Sequence, residues 1–126
     1  MPLNHYTEDE PMALSSLLLV ELHHSWCRQR IDLAPPDADL PVGAVLAKGD
    51  DGFYAPYLKS AETAQASAVL ISPVKAGESA QSAVAIVRGV VVSAANLQFL
   101  ETVTEAQKKT ALEQLNALGI VPEETD

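Results

Sequence analysis

Two apolar stretches decide the fold: residues 39–48 read DLPVGAVLAK, and residues 82–92 read SAVAIVRGVVV. Their β-branched and small apolar side chains are typical of strands that are buried in a sheet. Neither stretch carries a catalytic group, so both predict scaffold. Because the whole chain has only 126 residues, little sequence remains for an active site. We therefore expect a structural or binding module that is not an enzyme.

The composition fits one domain with a modest core. Apolar residues make up 48% of the chain, but the aromatic residues number only three Tyr, two Phe and one Trp. The core must therefore be built from Val, Leu, Ile and Ala, and chains with such small cores often gain stability by oligomerising. The formal net charge of −9 argues against binding to nucleic acid, because that affinity depends on Lys and Arg contacts to phosphate.

The first 31 residues are predicted to form an N-terminal arm. Residues 1–11 are polar and acidic, and no turn residues tie them back to a domain. The following apolar stretch fits a helix through Leu14, Leu17 and Leu18, or a strand. At period two, the strand would place these residues on one face: Leu18, Val20, Leu22, His24 and Trp26. We favour a strand from Leu18 onward.

Nothing in the arm indicates a targeting or membrane segment. The apolar residues 12–22 are interrupted by polar ones and are far fewer than a spanning helix needs. The start of the chain lacks a basic region and a secretory cleavage site. We therefore expect a soluble protein that is made in the cytoplasm and has no membrane partner.

Turn residues divide the rest of the chain into short strands. The double proline at 35–36 predicts a loop, and the sequence GDDG at 49–52 predicts a hairpin turn. Between such signals we predict these elements: strand 44–47, strand 53–57, a loop or helical turn at 60–67, strand 68–71, a polar turn at 75–81 and one long strand at 83–92. Gly89 within the last strand predicts a bulge or bend.

Residues 104–118 predict a C-terminal helix. Thr104 and Gln107 have the spacing of a capping box, and Gly119 with Pro122 marks the end. One apolar stripe is predicted to face the core: Ala111, Leu112, Leu115 and Leu118. The acidic residues 122–126 are expected to be an exposed tail.

The polar clusters do not predict a metal, cofactor or catalytic site. His23 and His24 precede the single cysteine, Cys27, but adjacent residues of a strand point to opposite faces and four zinc ligands are not present. A buried or interface role as a small apolar residue suits Cys27 better. The paired aspartates at 37/39 and 50–51 lie in turns, where Asp commonly caps its own backbone. Trp26 fits a core position and an interface anchor equally well.

Five stretches in a fixed order resemble the bacteriophage head decoration protein D family, of which the lambda-type protein is the best-known member. They read LPVGAVLAK (40–48), GFY (52–54), AVLISPV (68–74), AVAIVRGV (83–90) and LNALGI (115–120). The resemblance covers roughly residues 18–121, and the order and spacing of the stretches carry it.

The resemblance implies a mainly β protein with a small α part: a compact domain of the β-clip type at 32–126, with an extended N-terminal arm at 1–31 and a C-terminal helix. It also implies a homotrimer on the outside of the expanded virion capsid, at three-fold and quasi-three-fold points, where it stabilises the shell. The partner is then the major capsid protein. The arm would contact it through the apolar residues Leu18, Val20, Leu22 and Trp26. No cofactor is implied.

A second hypothesis is a small β-rich binding or adaptor module, such as a carbohydrate-binding accessory domain. Sugar binding normally uses exposed aromatic platforms, and Phe53, Tyr54 and Tyr57 are the only aromatic cluster in the sequence.

Overall fold

The computed structural model describes residues 17–59 and 65–124. In chain order the elements are β1 (Leu18–Glu21), α1 (His24–Cys27), β2 (Arg28–Leu33), β3 (Val45–Lys48), β4 (Tyr54–Pro56), β5 (Ala66–Leu70), β6 (Gln81–Ile86), β7 (Val90–Ser93), a 3₁₀ turn (Ala94–Asn96), α2 (Glu105–Ala117) and β8 (Ile120–Glu123). The expected mainly β fold with a C-terminal helix is confirmed. The predictions made for residues 1–16, 60–64 and 125–126 lie outside the described residues.

Five strands close into a barrel in the order β2-β4-β3-β5-β6. The longest pairing is antiparallel, between β2 and β6, and runs from Arg28 opposite Ile86 to Leu33 opposite Gln81. One parallel pair, Leu33 with Tyr54, joins β2 to β4 and completes the closure. Closure leaves these five strands without free edges. The boundary expected between residues 31 and 32 falls within β2.

The other three strands form a separate open sheet in the order β1-β7-β8. Strand β1 pairs with β7 in the antiparallel sense, and β8 pairs with β7 in the parallel sense. A parallel pair needs a long crossover connection, and α2 supplies it here. The strands from the two ends of the described chain therefore flank β7 as the two edges of this sheet.

Two apolar clusters share the faces of the central strands. On β3, Val45 and Ala47 belong to the first cluster, whereas Leu46 and the preceding Ala44 belong to the second. Because successive side chains of a strand point to opposite faces, both faces of β3 are buried. This explains why residues 39–48 read as a continuous apolar run. The first cluster extends to β7, α2 and β8 and joins the open sheet to the barrel.

The predicted capping box of the C-terminal helix is confirmed. The Thr104 hydroxyl accepts a hydrogen bond from the Gln107 backbone N–H at 3.1 Å, and the Gln107 side chain accepts one from the Thr104 N–H at 2.8 Å. Leu115 is fully buried, but the predicted apolar stripe is wrong at Leu118, which is 46% exposed. The helix ends at Ala117, and Leu118 has left helical geometry as the C-cap.

The single long strand predicted for residues 83–92 is wrong, because the stretch forms two strands in two different sheets. Strand β6 stays in the barrel, and β7 enters the open sheet after a break at residues 87–89. The predicted bend at Gly89 is confirmed: this residue has φ of +73°, which an L side chain rarely adopts. Glycine therefore allows one apolar run to serve both sheets.

Two further predictions at the chain ends need correction. The strand expected from Leu18 onward is interrupted at His24–Cys27, where Trp26 and Cys27 both donate backbone hydrogen bonds to the His23 carbonyl and close a helical turn. The tail expected from Pro122 onward begins instead within β8, which pairs with β7 through Glu123. Proline is tolerated there because β8 is an edge strand.

Candidate interaction surface

Three of the four predicted contact residues lie together on the surface. Val20 is 51% exposed, Leu22 is 70% exposed and Trp26 is 51% exposed. Leu18 differs, because it is half-buried and packs against the first apolar cluster. A bulge in the pairing between Leu18 and Val20 accompanies this change of direction. The structure thus brings Val20, Leu22 and Trp26 into one site and directs Leu18 toward the core.

The outer face of the open sheet carries an apolar row that the sequence did not reveal. Val20 lies opposite Val91, and Val91 lies opposite Val121. Val121 is 40% exposed, whereas its neighbour Ile120 points to the buried face. The row depends on the parallel pairing of β7 with β8, which joins residues far apart in the chain. The period-two pattern of β8 is only four residues long and overlaps the predicted tail at 122–126, so the sequence alone did not indicate it.

These side chains line a shallow groove of about 560 Å³. Val20, Leu22 and Trp26 contribute from the β1–α1 segment, and Leu118 and Val121 contribute from the end of α2 and from β8. The floor is formed around Gly89 and β7. We call this surface the β1–β8 groove. It combines both ends of the described chain, so no local sequence window could have identified it.

Gly89 positions the groove from below. Its carbonyl accepts hydrogen bonds from the Leu22 backbone N–H at 3.1 Å and from the Cys27 thiol at 3.4 Å. A Cβ atom at this position would lie 2.5 Å from Cζ3 of Trp26, closer than any normal contact. The indole ring therefore rests directly on the glycine backbone. One ring face is covered by this contact, and half of the side chain stays exposed.

An ion pair holds β1 beside the barrel. Arg28 donates two hydrogen bonds to the Glu21 carboxylate, at 2.7 Å and 2.9 Å. These bonds raise the pKa of the Arg28 guanidinium above its usual value. A bidentate pair of this kind also fixes the relative direction of the two side chains. It thereby fixes the edge of the groove against β2.

The other polar clusters have structural roles. Asp51 accepts a hydrogen bond from the Phe53 N–H at 3.0 Å, and Asp39 accepts one from the Ala76 N–H at 2.9 Å. The Asp51 contact caps its own turn, as the sequence predicted. Asp39 instead joins two segments that are 37 residues apart, so the prediction of a local cap is wrong there. The Lys59 ammonium pairs with Asp37 at 2.5 Å, and this hydrogen bond lowers the pKa of the Asp37 carboxyl.

Cys27 is fully buried beside Gly89 and behaves as a small apolar residue. Over residues 17–59 and 65–124, no group of three or more His, Cys, Asp or Glu side chains is placed to hold a metal ion. In the same part of the chain, no helix combines the length and apolarity that crossing a bilayer requires.

The aromatic cluster of the second hypothesis does not form an exposed platform. Tyr54 and Tyr57 are both buried, and Phe53 alone is partly exposed. The Tyr57 ring packs edge-on against Phe99, and burial raises the pKa of its hydroxyl. A sugar ring would therefore find one aromatic face here at most, which leaves the β1–β8 groove as the better candidate surface.

Comparison with known proteins agrees with the resemblance seen in the sequence. A search of curated proteins found no match. The sequence model of one family, described as bacteriophage lambda head decoration protein D, matches residues 7–120. The match covers most of the chain, including strands β1 to β7 and α2, and it ends at the first residue of β8. The chain therefore belongs to the bacteriophage lambda head decoration protein D family, a family of structural proteins of the phage capsid.

Proposed function

We propose that this protein binds the outside of the expanded phage capsid as a trimer at three-fold and quasi-three-fold positions, and stabilises the shell against internal DNA pressure. In this role it is a structural virion protein without catalytic activity. Family membership supports the capsid as the partner. The β1–β8 groove supports binding through an apolar surface and is the observation that carries the proposal for this chain.

The groove has the properties of a protein-binding surface. Its exposed side chains include Leu22, Trp26, Leu118 and Val121, which leave a contiguous apolar patch in contact with water. Patches of this kind on small proteins commonly mark interaction sites. A half-exposed tryptophan among its lining residues suits an interface anchor, because Trp is enriched among residues that dominate binding energy. Of the two roles open to Trp26, we favour the anchor.

Stabilisation of the shell follows if binding discriminates between capsid states. A ligand that binds only the expanded state shifts the equilibrium toward that state by its own binding free energy. Each capsid protein then needs more energy to leave the lattice or to return to the compact form. The protein needs no cofactor for this effect, since the free energy comes from contacts alone.

A trimer increases this effect through multivalency. If three grooves face three equivalent capsid segments, the second and third contacts form at high effective concentration. Weak individual contacts are then sufficient for stable attachment. A trimer also covers apolar surface that a 126-residue chain cannot bury alone.

The test is to mix purified protein with expanded empty capsids and to measure bound copies per capsid. We expect saturable, stoichiometric binding, and density with three lobes at the three-fold positions. Leu22→Ser and Trp26→Ala should each weaken binding by roughly tenfold or more, as expected for anchor residues. Phe53→Ser is the matched control, because Phe53 is partly exposed but lies outside the groove.

Two results would contradict the proposal. Wild-type protein that does not bind expanded capsids would exclude the capsid role. Equal losses from the groove variants and from Phe53→Ser would exclude the groove as the contact surface. Circular dichroism of each variant separates a loss of binding from a loss of folding.

A further inference from the structure

Arg88 is the single charged residue that lines the β1–β8 groove in the described part of the chain. This is unexpected in a protein with seventeen acidic residues, eight basic residues and a net charge of −9. A cation in an apolar groove on an acidic molecule marks a local reversal of charge. Such a reversal favours contact with a negatively charged group of a partner.

Arg88 also differs in its contacts from four of the other seven basic residues. Within the described residues, no carboxylate lies within 4.0 Å of its guanidinium, whereas Arg28, Lys59, Lys75 and Lys108 all pair with Asp or Glu. Among the described residues, Arg88 donates one hydrogen bond, from Nη1 to the Trp26 carbonyl. A guanidinium has five N–H donors, so most of its donors are available to a ligand.

The arginine is held in place before any ligand arrives. Its Cζ atom lies 5.6 Å from the centroid of the Trp26 ring, within the range of a cation–π contact. The hydrogen bond to the Trp26 carbonyl fixes the same side chain from a second direction. A planar guanidinium group that is already oriented loses less conformational entropy on binding. Arg88 is therefore suited to bidentate recognition of a carboxylate.

We propose that the β1–β8 groove recognises a protein segment in which an Asp or Glu is flanked by aliphatic side chains. The carboxylate pairs with Arg88, and the aliphatic side chains contact Leu22, Val20 and Val121. This inference rests on the proposed function for the source of the segment, which is the major capsid protein. Arg88 then supplies specificity, and the apolar row supplies most of the buried surface.

The experiment compares Arg88→Gln with Lys75→Gln in binding to expanded capsids. Lys75 has a side chain that is 91% exposed and lies outside the groove, so both variants remove one positive charge but only one removes it from the site. We expect Arg88→Gln to weaken binding about tenfold or more, and Lys75→Gln to leave it nearly unchanged. Added salt should weaken wild-type binding more steeply than binding of Arg88→Gln.

A second variant separates charge from geometry. Arg88→Lys keeps the charge but loses the planar fork, and we expect an intermediate loss of affinity. Arg88→Lys also tests the proposal if Arg88→Gln does not fold. Urea unfolding would detect that failure. Equal affinity of Arg88→Lys and wild type would overturn bidentate recognition.

The remaining outcomes distinguish the two proposals. If wild-type protein binds capsids and Arg88→Gln binds equally well, the carboxylate inference is overturned and the capsid role stands. If wild-type protein does not bind capsids, both are overturned. If Arg88→Gln binds more tightly than wild type, the carboxylate partner of Arg88 is an acidic segment of this chain, such as residues 8–10, and the inference is again overturned.

Discussion

At the scale of single residues, Gly89 meets two independent requirements. Its φ of +73° is disfavoured for residues with a Cβ atom. The space above it is also filled, because an added Cβ would approach Trp26 to 2.5 Å and the Cys27 sulfur to 3.0 Å. Gly52 meets only the first requirement, since it has φ of +89° and open space around its Cβ position.

This contrast gives a prediction for stability. Gly52→Ala should lower the free energy of unfolding by about 1 kcal/mol through backbone strain alone. Gly89→Ala should lower it by about 1–3 kcal/mol more, because the indole ring or the backbone must move. Urea unfolding of both variants measures the difference. Equal costs would show that the Trp26 ring moves aside freely and is not held on the glycine.

The sequence predicted a bend at Gly89 but did not show that Trp26 packs on this residue. A glycine within an apolar run predicts a bend, and the bend is present. That the glycine also supports Trp26 depends on the helical turn at His24–Cys27, which a period-two pattern concealed. Local spacing thus predicted the backbone conformation, while the packing of the ring required the tertiary structure.

At the scale of elements, α2 connects β7 to β8 and covers the first apolar cluster. Leu115 is fully buried and Leu118 is 46% exposed, although they are one helical turn apart in sequence. The change in exposure occurs where the helix ends and Gly119, with φ of +85°, turns the chain into β8. The end of α2 therefore separates Leu115, which lies in the core, from Leu118, which lines the groove.

We predict opposite effects for these two leucines. Leu115→Ala should cost about 2–5 kcal/mol of unfolding free energy, as for other fully buried leucines. Leu118→Ala should change stability by no more than about 0.5 kcal/mol, yet it should weaken capsid binding if the groove is the contact surface. Urea unfolding and capsid binding of the same two proteins check both statements. A large loss of stability in Leu118→Ala would place this side chain in the core.

Element types were predictable where local signals agree. The capping box of α2 and the GDDG turn both rely on contacts within a few residues, and both are present. The division of residues 83–92 between two sheets was not predictable from composition, because each half reads as a buried strand. The pairing of β8 with β7 was missed since it joins Ile120 to Val90 across a whole helix.

At the scale of the whole molecule, charge repulsion opposes the association of subunits, whereas burial of apolar surface favours it. Each subunit carries a net charge of −9, so three subunits repel one another at low ionic strength. We therefore expect the contact of the proposed trimer to be mainly apolar and the repulsion to be screened by salt. The proposed contact of Arg88 with the capsid should have the opposite dependence, because salt screens an attraction there.

We predict that the trimer strengthens as salt is added. Sedimentation equilibrium at low and high salt should show a larger trimer fraction at high salt, because screening removes repulsion and leaves apolar contacts intact. Lys75→Gln removes one positive charge and so makes each subunit more negative, which should make the salt dependence steeper. Dissociation of the trimer by salt would instead indicate subunit contacts held by ion pairs.

The pairing of β1 with β7 has a consequence for synthesis of the chain. Leu18 pairs with Val92, so the apolar start of β1 has no strand partner until residue 92 has been made. At roughly 5–20 residues per second, the ribosome needs several seconds to reach that point. During this interval the nascent segment is open to chaperones and to neighbouring chains. The strand that we propose to lie at the capsid contact is thus also a part of the growing polypeptide that waits long for its partner.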